Sequence, residues 1–125
     1  MPNINKKILI VEDDKDFLSI LKIKFTEEGF LVVTAENGEE GIETAAEENP
    51  DMIISDVLMP RLDGIEMAKK IKNANPSALI MFLTNLKDAE YIEKIKNFGG
   101  FDYIIKSESR ISEIVEKSKA KLGIK

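Results

Sequence analysis

Asp56 closes an apolar run, Ile53-Ile54-Ser55-Asp56, and a turn bearing Pro60 and Gly64 follows it. Three other runs end in polar residues. Ile8-Leu9-Ile10-Val11 leads into Glu12-Asp13-Asp14, Leu79 to Leu83 leads into Thr84, and Tyr103-Ile104-Ile105 leads into Lys106. If these runs are parallel strands of one sheet, all of these residues lie at its carboxyl edge, where open α/β sheets build their sites. Acids, a hydroxyl and a lysine then share one cleft. Clustered carboxylates repel one another, and a bound hard cation relieves the repulsion. Magnesium takes oxygen ligands and keeps several waters, so one or two carboxylates suffice to hold it. An aspartate beside that ion can attack phosphorus and form an aspartyl phosphate. Lysine and metal offset charge on the phosphoryl oxygens, and a threonine hydroxyl donates to one of them.

Taken singly, each residue has a plainer role. Glu12, Asp13 and Asp14 suit a helix N-terminus, where the dipole favours acids. Thr84 suits a strand end or a cap, Lys106 a surface, and Asp56 a turn. The argument for a site is that four strand ends, far apart in sequence, carry matching chemistry.

The elements that must position these residues follow from periodicity. The run Lys7 to Val11 is apolar without alternation, as in a strand buried on both faces. Phe17, Leu21 and Phe25, joined by Leu18 and Ile20, predict a helix capped by Asp14 or Asp16 and stopped by Gly29. Phe30 to Ala35 is a second strand, which Asn37-Gly38 breaks. Glu39 to Glu48 is a helix with Ile42, Ala45 and Ala46 inward, closed by Asn49-Pro50. Met52 to Asp56 is the third strand. Gly64 to Asn73 is a helix on Ile65, Met67, Ala68 and Ile71, ended by Asn75-Pro76. A fourth strand ends at Thr84, and a helix from Asp88 to Phe98 places Ala89, Ile92 and Ile95 inward before Gly99-Gly100. After the strand at Tyr103 to Ile105, a last helix runs from Ser109 to Leu122. Five alternating βα units predict a parallel sheet with helices on both faces.

Composition narrows the function. At 125 residues the chain reads as one domain, 1–125, with no output domain expected. It has no Cys and no His. Disulfides, thiolate metal sites, Ser-His-Asp catalysis and a phosphohistidine carrier role are therefore excluded. No run approaches the length of a membrane span, and acids follow the first apolar run too soon for a signal peptide. A cytoplasmic location is the expectation. A net charge of −5 argues against direct nucleic-acid binding. The lysines at 117, 119, 121 and 125 read as a solvated helix face.

The chain closely resembles the receiver domain of two-component response regulators. The resemblance runs from Ile8 to about Leu122. It rests on Ile-Leu-Ile-Val-Glu12-Asp13-Asp14, on Ile-Ile-Ser-Asp56-Val-Leu-Met-Pro60-Arg-Leu-Asp-Gly64, on Phe-Leu-Thr84-Asn and on Asp-Tyr103-Ile-Ile-Lys106. It implies a flavodoxin-like (βα)5 three-layer sandwich with strand order 2-1-3-4-5. Asp56 is then the phosphoacceptor and Asp13 a direct magnesium ligand. Glu12 holds a metal-bound water, and Leu58 offers its backbone carbonyl to the metal. Thr84 follows the phosphoryl group, Lys106 pairs with it, and Tyr103 reports the switch through its rotamer. The implied cofactor is Mg2+. The implied partners are a sensor histidine kinase or histidine phosphotransfer protein and a downstream protein target, read out through helix 4, strand 5 and helix 5. Such a domain is not an enzyme beyond its own phosphotransfer and slow autodephosphorylation.

The chain departs from the family pattern at two places. Ser107 follows Lys106 where a cis-bonded proline is usual, and a non-proline cis bond is costly, so a trans bond or an altered loop is expected. Asn85 follows Thr84 where a small residue is usual, which narrows the mouth of the pocket. Leu58 and Leu86 stand two residues after Asp56 and Thr84, where the family tunes acyl-phosphate hydrolysis. Neither can orient a water, so a long-lived phosphoryl state is expected.

Other functions fit less well. A haloacid-dehalogenase-type phosphatase needs a second Asp two residues after the nucleophile, and Leu58 stands there. A flavodoxin-like cofactor binder needs a Gly- and hydroxyl-rich phosphate loop after the first strand, where this chain has acids. A P-loop nucleotidase lacks its glycine-lysine run. A receiver-like interaction module that is never phosphorylated is the remaining alternative.

Overall fold

Apolar strands with no polar alternation need a greasy layer on each face, and the helices between them supply it. A computed structural model of the chain describes residues 4–59, 61–85, 89–97, 101–106 and 109–124. In order they form β1 (Lys7–Val11), α1 (Lys15–Glu27), β2 (Leu31–Ala35), α2 (Gly38–Glu48), β3 (Met52–Asp56), α3 (Gly64–Ala74), β4 (Ile80–Thr84), α4 (Ala89–Asn97), β5 (Asp102–Ile105) and α5 (Ile111–Lys121). The five strands form one parallel sheet in the order β2-β1-β3-β4-β5, as expected.

Side chains alternate across a strand, so the sheet has two cores. One face carries Ile8, Ile10, Met52, Ile54, Met81, Leu83 and Ile104 against Leu18, Leu21 and Phe25 of α1 and Ile114 and Val115 of α5. The other carries Leu9, Val11, Ile53, Ile80 and Phe82 against Ile65, Met67, Ala68 and Ile71 of α3 and Ile95 of α4. Phe82 and Phe101 meet edge to face at 5.4 Å on this second face.

Local chemistry sets the helix starts. Asp14, not Asp16, caps α1, accepting from the N–H groups of Asp16 and Phe17 at 3.1 and 3.2 Å. Asn37 does not simply break the second strand. Its side chain caps α2 by accepting from the N–H of Glu40 at 2.9 Å, so the helix already begins at Gly38. Asp63 caps α3 on the N–H of Glu66 at 2.8 Å.

Three expectations change. Ile20 is 50 % exposed, because two residues past Leu18 is roughly 200° around the helix and faces solvent. Ala46 of α2 is exposed, whereas Ile42 and Ala45 are partly covered. The lysines of α5 are not merely solvated. Lys119 bonds Glu28 at 3.0 Å, Lys121 bonds Asp102 at 3.1 Å, and Lys117 donates to the Tyr103 carbonyl at 3.4 Å. They tie α5 to the end of α1 and to β5. The bond from Lys119 holds the Glu28 carboxyl below the ordinary carboxylate range.

The turn from β3 to α3 is held by backbone contact. The Gly64 N–H donates to the Val57 carbonyl at 2.7 Å. A Cβ at Gly64 would lie 2.1 Å from the Asp56 carbonyl oxygen. That contact is with backbone, which cannot rotate away. Gly64→Ala should therefore cost about 2 kcal/mol and lower Tm by roughly 8 °C. Thermal unfolding followed by circular dichroism measures this, and an unchanged Tm would remove the constraint.

Candidate functional site

Register places the site. Val11 aligns with Ser55, so Glu12 emerges level with Asp56, and Asp56 aligns with Leu83. Thr84 aligns with Ile105, one residue before Lys106. The sheet thus delivers all four strand-end residues to one edge. Lys106 is farthest along, and its long side chain reaches back.

Glu12 and Lys106 follow the alternation of Ile10 and Ile104, and Asp56 that of Ile54, so all three share the α1/α5 face. There the Lys106 ammonium bonds Asp56 Oδ2 at 3.2 Å and also contacts Glu12 Oε1. Its side chain is 10 % exposed and that of Glu12 is 1 % exposed. Asp56 Oδ1 accepts from the Val57 N–H at 2.8 Å, so each carboxylate oxygen of Asp56 has a donor. Asp13 is exposed beside them. Carboxylate oxygens of Glu12, Asp13 and Asp56 lie within 4.8 Å of one another. An all-oxygen set this close, with one exposed member, suits a hard divalent cation that keeps water.

The electrostatics follow from burial. Burial pushes the Glu12 carboxyl up to about 7, the bond from Lys106 opposes the rise, and the charge of Asp56 adds to it. Burial alone would pull the Lys106 ammonium down. The bond to Glu12 and the charges of Asp56 and Glu12 outweigh it and hold Lys106 above its ordinary value.

Thr84 is buried at the end of β4 and follows the alternation of Phe82, on the sheet face opposite the acids. Tyr103 shares that face. It aligns with Phe82 and is partly buried against the same core. Leu58, in the turn after β3, is 46 % exposed. Asn85 is also exposed. Pro60, Leu86 and Ser107 lie outside the described residues, as does the Lys106–Ser107 bond.

Two contacts escaped the sequence. Ser55 is fully buried, and its hydroxyl donates to the Asp56 carbonyl at 2.8 Å. Phe17 looked like one more apolar position of α1, yet its ring centroid lies 4.3 Å from the Lys106 ammonium. Its place in the first turn, just past the acid-bearing strand end, was the available signal.

Comparison with known proteins agrees with this arrangement. Residues 8–118 match the response regulator receiver domain family. The alkaline phosphatase synthesis transcriptional regulatory protein PhoP of Bacillus subtilis is 35 % identical over 122 residues, 92 % of this chain and 50 % of that protein. A cyclic di-GMP phosphodiesterase of Thermotoga maritima is 38 % identical over 79 % of this chain and 26 % of its own length. The chain thus spans about half or less of these relatives. Among solved structures, the response regulator protein TrrA of Thermotoga maritima, in complex with Mg(2+)-BeF, has a TM-score of 0.82 and 34 % identity. The alignment covers 93 % of this chain and 98 % of TrrA. A Francisella response regulator receiver domain has a TM-score of 0.85 and 32 % identity, with 95 % and 98 % covered. Sheet order, site geometry and these matches lead to one conclusion: the chain belongs to the response regulator receiver domains of two-component signalling.

Proposed function

We propose that Asp56 accepts a phosphoryl group from a phosphohistidine on a sensor histidine kinase or histidine phosphotransfer protein. The observation that carries this reading is the convergence of Asp56, Glu12 and Lys106, with Asp13 beside them, at the carboxyl edge of the sheet. An Asp56 carboxylate oxygen forms the new bond to phosphorus as the bond from phosphorus to the imidazole nitrogen breaks, and that nitrogen keeps the electron pair. Lys106, already bonded to Asp56, pairs with the added phosphoryl oxygens, and the Thr84 hydroxyl donates to one of them.

Asp13, Asp56 and Glu12, with the Leu58 backbone carbonyl, would hold one Mg2+. When bound, that ion supplies positive charge against both the clustered carboxylates and the phosphoryl oxygens. The Mg(2+)-BeF complex of TrrA supports the assignment.

The shared face of Thr84 and Tyr103 supports a switch that passes between them. Thr84 and Tyr103 lie on the same side of adjacent strands. A pull on Thr84 therefore alters the space open to Tyr103 and reshapes the surface of α4, β5 and α5, where a downstream protein target binds. The domain comprises residues 1–125 and works in the cytoplasm. It turns over no substrate beyond its own phosphoryl group and does not itself contact nucleic acid.

Incubation with acetyl phosphate and Mg2+ should raise the intact mass by one phosphoryl group, and Asp56→Asn should abolish the gain. No gain either from acetyl phosphate or from an active histidine kinase would reject the proposal and favour a module that is never phosphorylated.

Metal binding has its own readout. Mg2+ at a hundred times its Kd should stabilise the unmodified chain by about 2.7 kcal/mol, seen as a higher Tm. Asp13→Asn should lose most of that gain. An equal gain in both proteins would remove Asp13 from the metal set.

The phosphoryl group should be long-lived, since an exposed leucine at 58 and a leucine at 86 offer no hydrogen bond to an attacking water. A decay time course should show faster loss in a Leu58→Asn plus Leu86→Glu variant. Equally fast loss in the two proteins would contradict this.

A further inference from the structure

We propose that Phe17 is a positioning residue for Lys106, holding the ammonium over Asp56 through the face of its ring. An ammonium has three N–H donors. Among the described residues, the acceptors recorded for Lys106 are Asp56 and Glu12. Its remaining side meets the Phe17 ring, 4.3 Å from the centroid. The site is largely closed, as the Lys106 side chain is 10 % exposed. Water cannot readily serve that third side, and an aliphatic neighbour would leave it without a partner. The negative face of an aromatic ring supplies one.

The ring is itself held by the group it serves. Glu12 Oε2 accepts from the Asp14 N–H at 3.3 Å. Asp14 then caps α1 and accepts from the Phe17 N–H at 3.2 Å. Phe17 packs on the α1/α5 core and covers Lys106, and Lys106 returns to Glu12. This closed circuit of four residues fixes where the lysine points by contacts along α1. The Lys106 charge therefore stands ready at Asp56 before any phosphoryl group arrives.

The consequence for phosphotransfer rests on the role of Lys106 proposed above, but the contact itself does not. Two measurements separate them. In the unphosphorylated chain, ring current should move the Lys106 ε-methylene protons upfield, and Phe17→Leu should return them to ordinary positions. An unshifted signal in the original chain would overturn the inference, whatever Asp56 does.

The second measurement is the rate of phosphoryl uptake from acetyl phosphate with Mg2+. Progressively fluorinated phenylalanines, placed at position 17 alone, nearly keep the ring's shape while draining its negative face. The rate should fall stepwise along that series and reach roughly a thirtyfold loss in Phe17→Leu, the size expected of a desolvated cation–π contact. Phe17→Tyr should keep the original rate. A rate flat across the fluorinated series, with loss confined to Phe17→Leu, would mean packing alone and would overturn the proposal. If the original chain takes up no phosphoryl group, the phosphoacceptor reading fails, and the proton shifts still decide the contact.

Discussion

One partly buried ammonium holds together carboxylates from two strand ends. Without Lys106, Glu12 and Asp56 would face each other in a pocket that hides Glu12 almost completely from water. Burial disfavours the Glu12 charge and the neighbouring aspartate adds to the cost, which is why that carboxyl is pushed up. Ion pairs this deep contribute little net stability, because desolvation cancels much of the attraction, but breaking one is costly. The arrangement makes sense as a site kept under electrostatic tension. It contains a cation bonded to Asp56 and an acid cluster suited to a hard metal ion.

The alternation of side chains divides the work between the two faces of the sheet. Glu12, Asp56 and Lys106 point towards α1 and α5, where Phe17 completes the lysine's surroundings. Thr84 and Tyr103 belong to the other face, with α3 and α4. The charged residues thus lie on one side of the sheet and the proposed switch residues on the other. The turn after β3 is the joint between them. Gly64 packs against the Asp56 backbone so closely that no side chain fits, so the end of β3 and the start of α3 are in direct backbone contact.

Much of this was legible because local and global signals agree. Unalternating apolar runs that end in polar residues marked the strands, and parallel connections forced those ends to one edge. Helix faces were less legible where small or isolated apolar residues carried the pattern. Ile20 and Ala46 are apolar but exposed, and hydrophobicity alone does not say which side of a helix meets the sheet. The lysines of α5 were misread for a related reason. Glu28 and Asp102 lie far from them in sequence, and only the packing of α5 beside β5 and the end of α1 makes the pairs.

By itself, then, the sequence determined the order of elements, a parallel sheet with helices on both faces and the residue types gathered at its carboxyl edge. These depend on periodicity and on connections that allow few alternatives, while the strand order 2-1-3-4-5 came through the family resemblance. Tertiary structure alone decided the distances within that edge, since the reach of Lys106 to Asp56 and Glu12 spans 50 and 94 residues of chain. It also decided which aromatic the lysine meets. Phe17 lies near Glu12 in sequence but far from Lys106, and α1 must pack against the sheet before its ring can cover the ammonium.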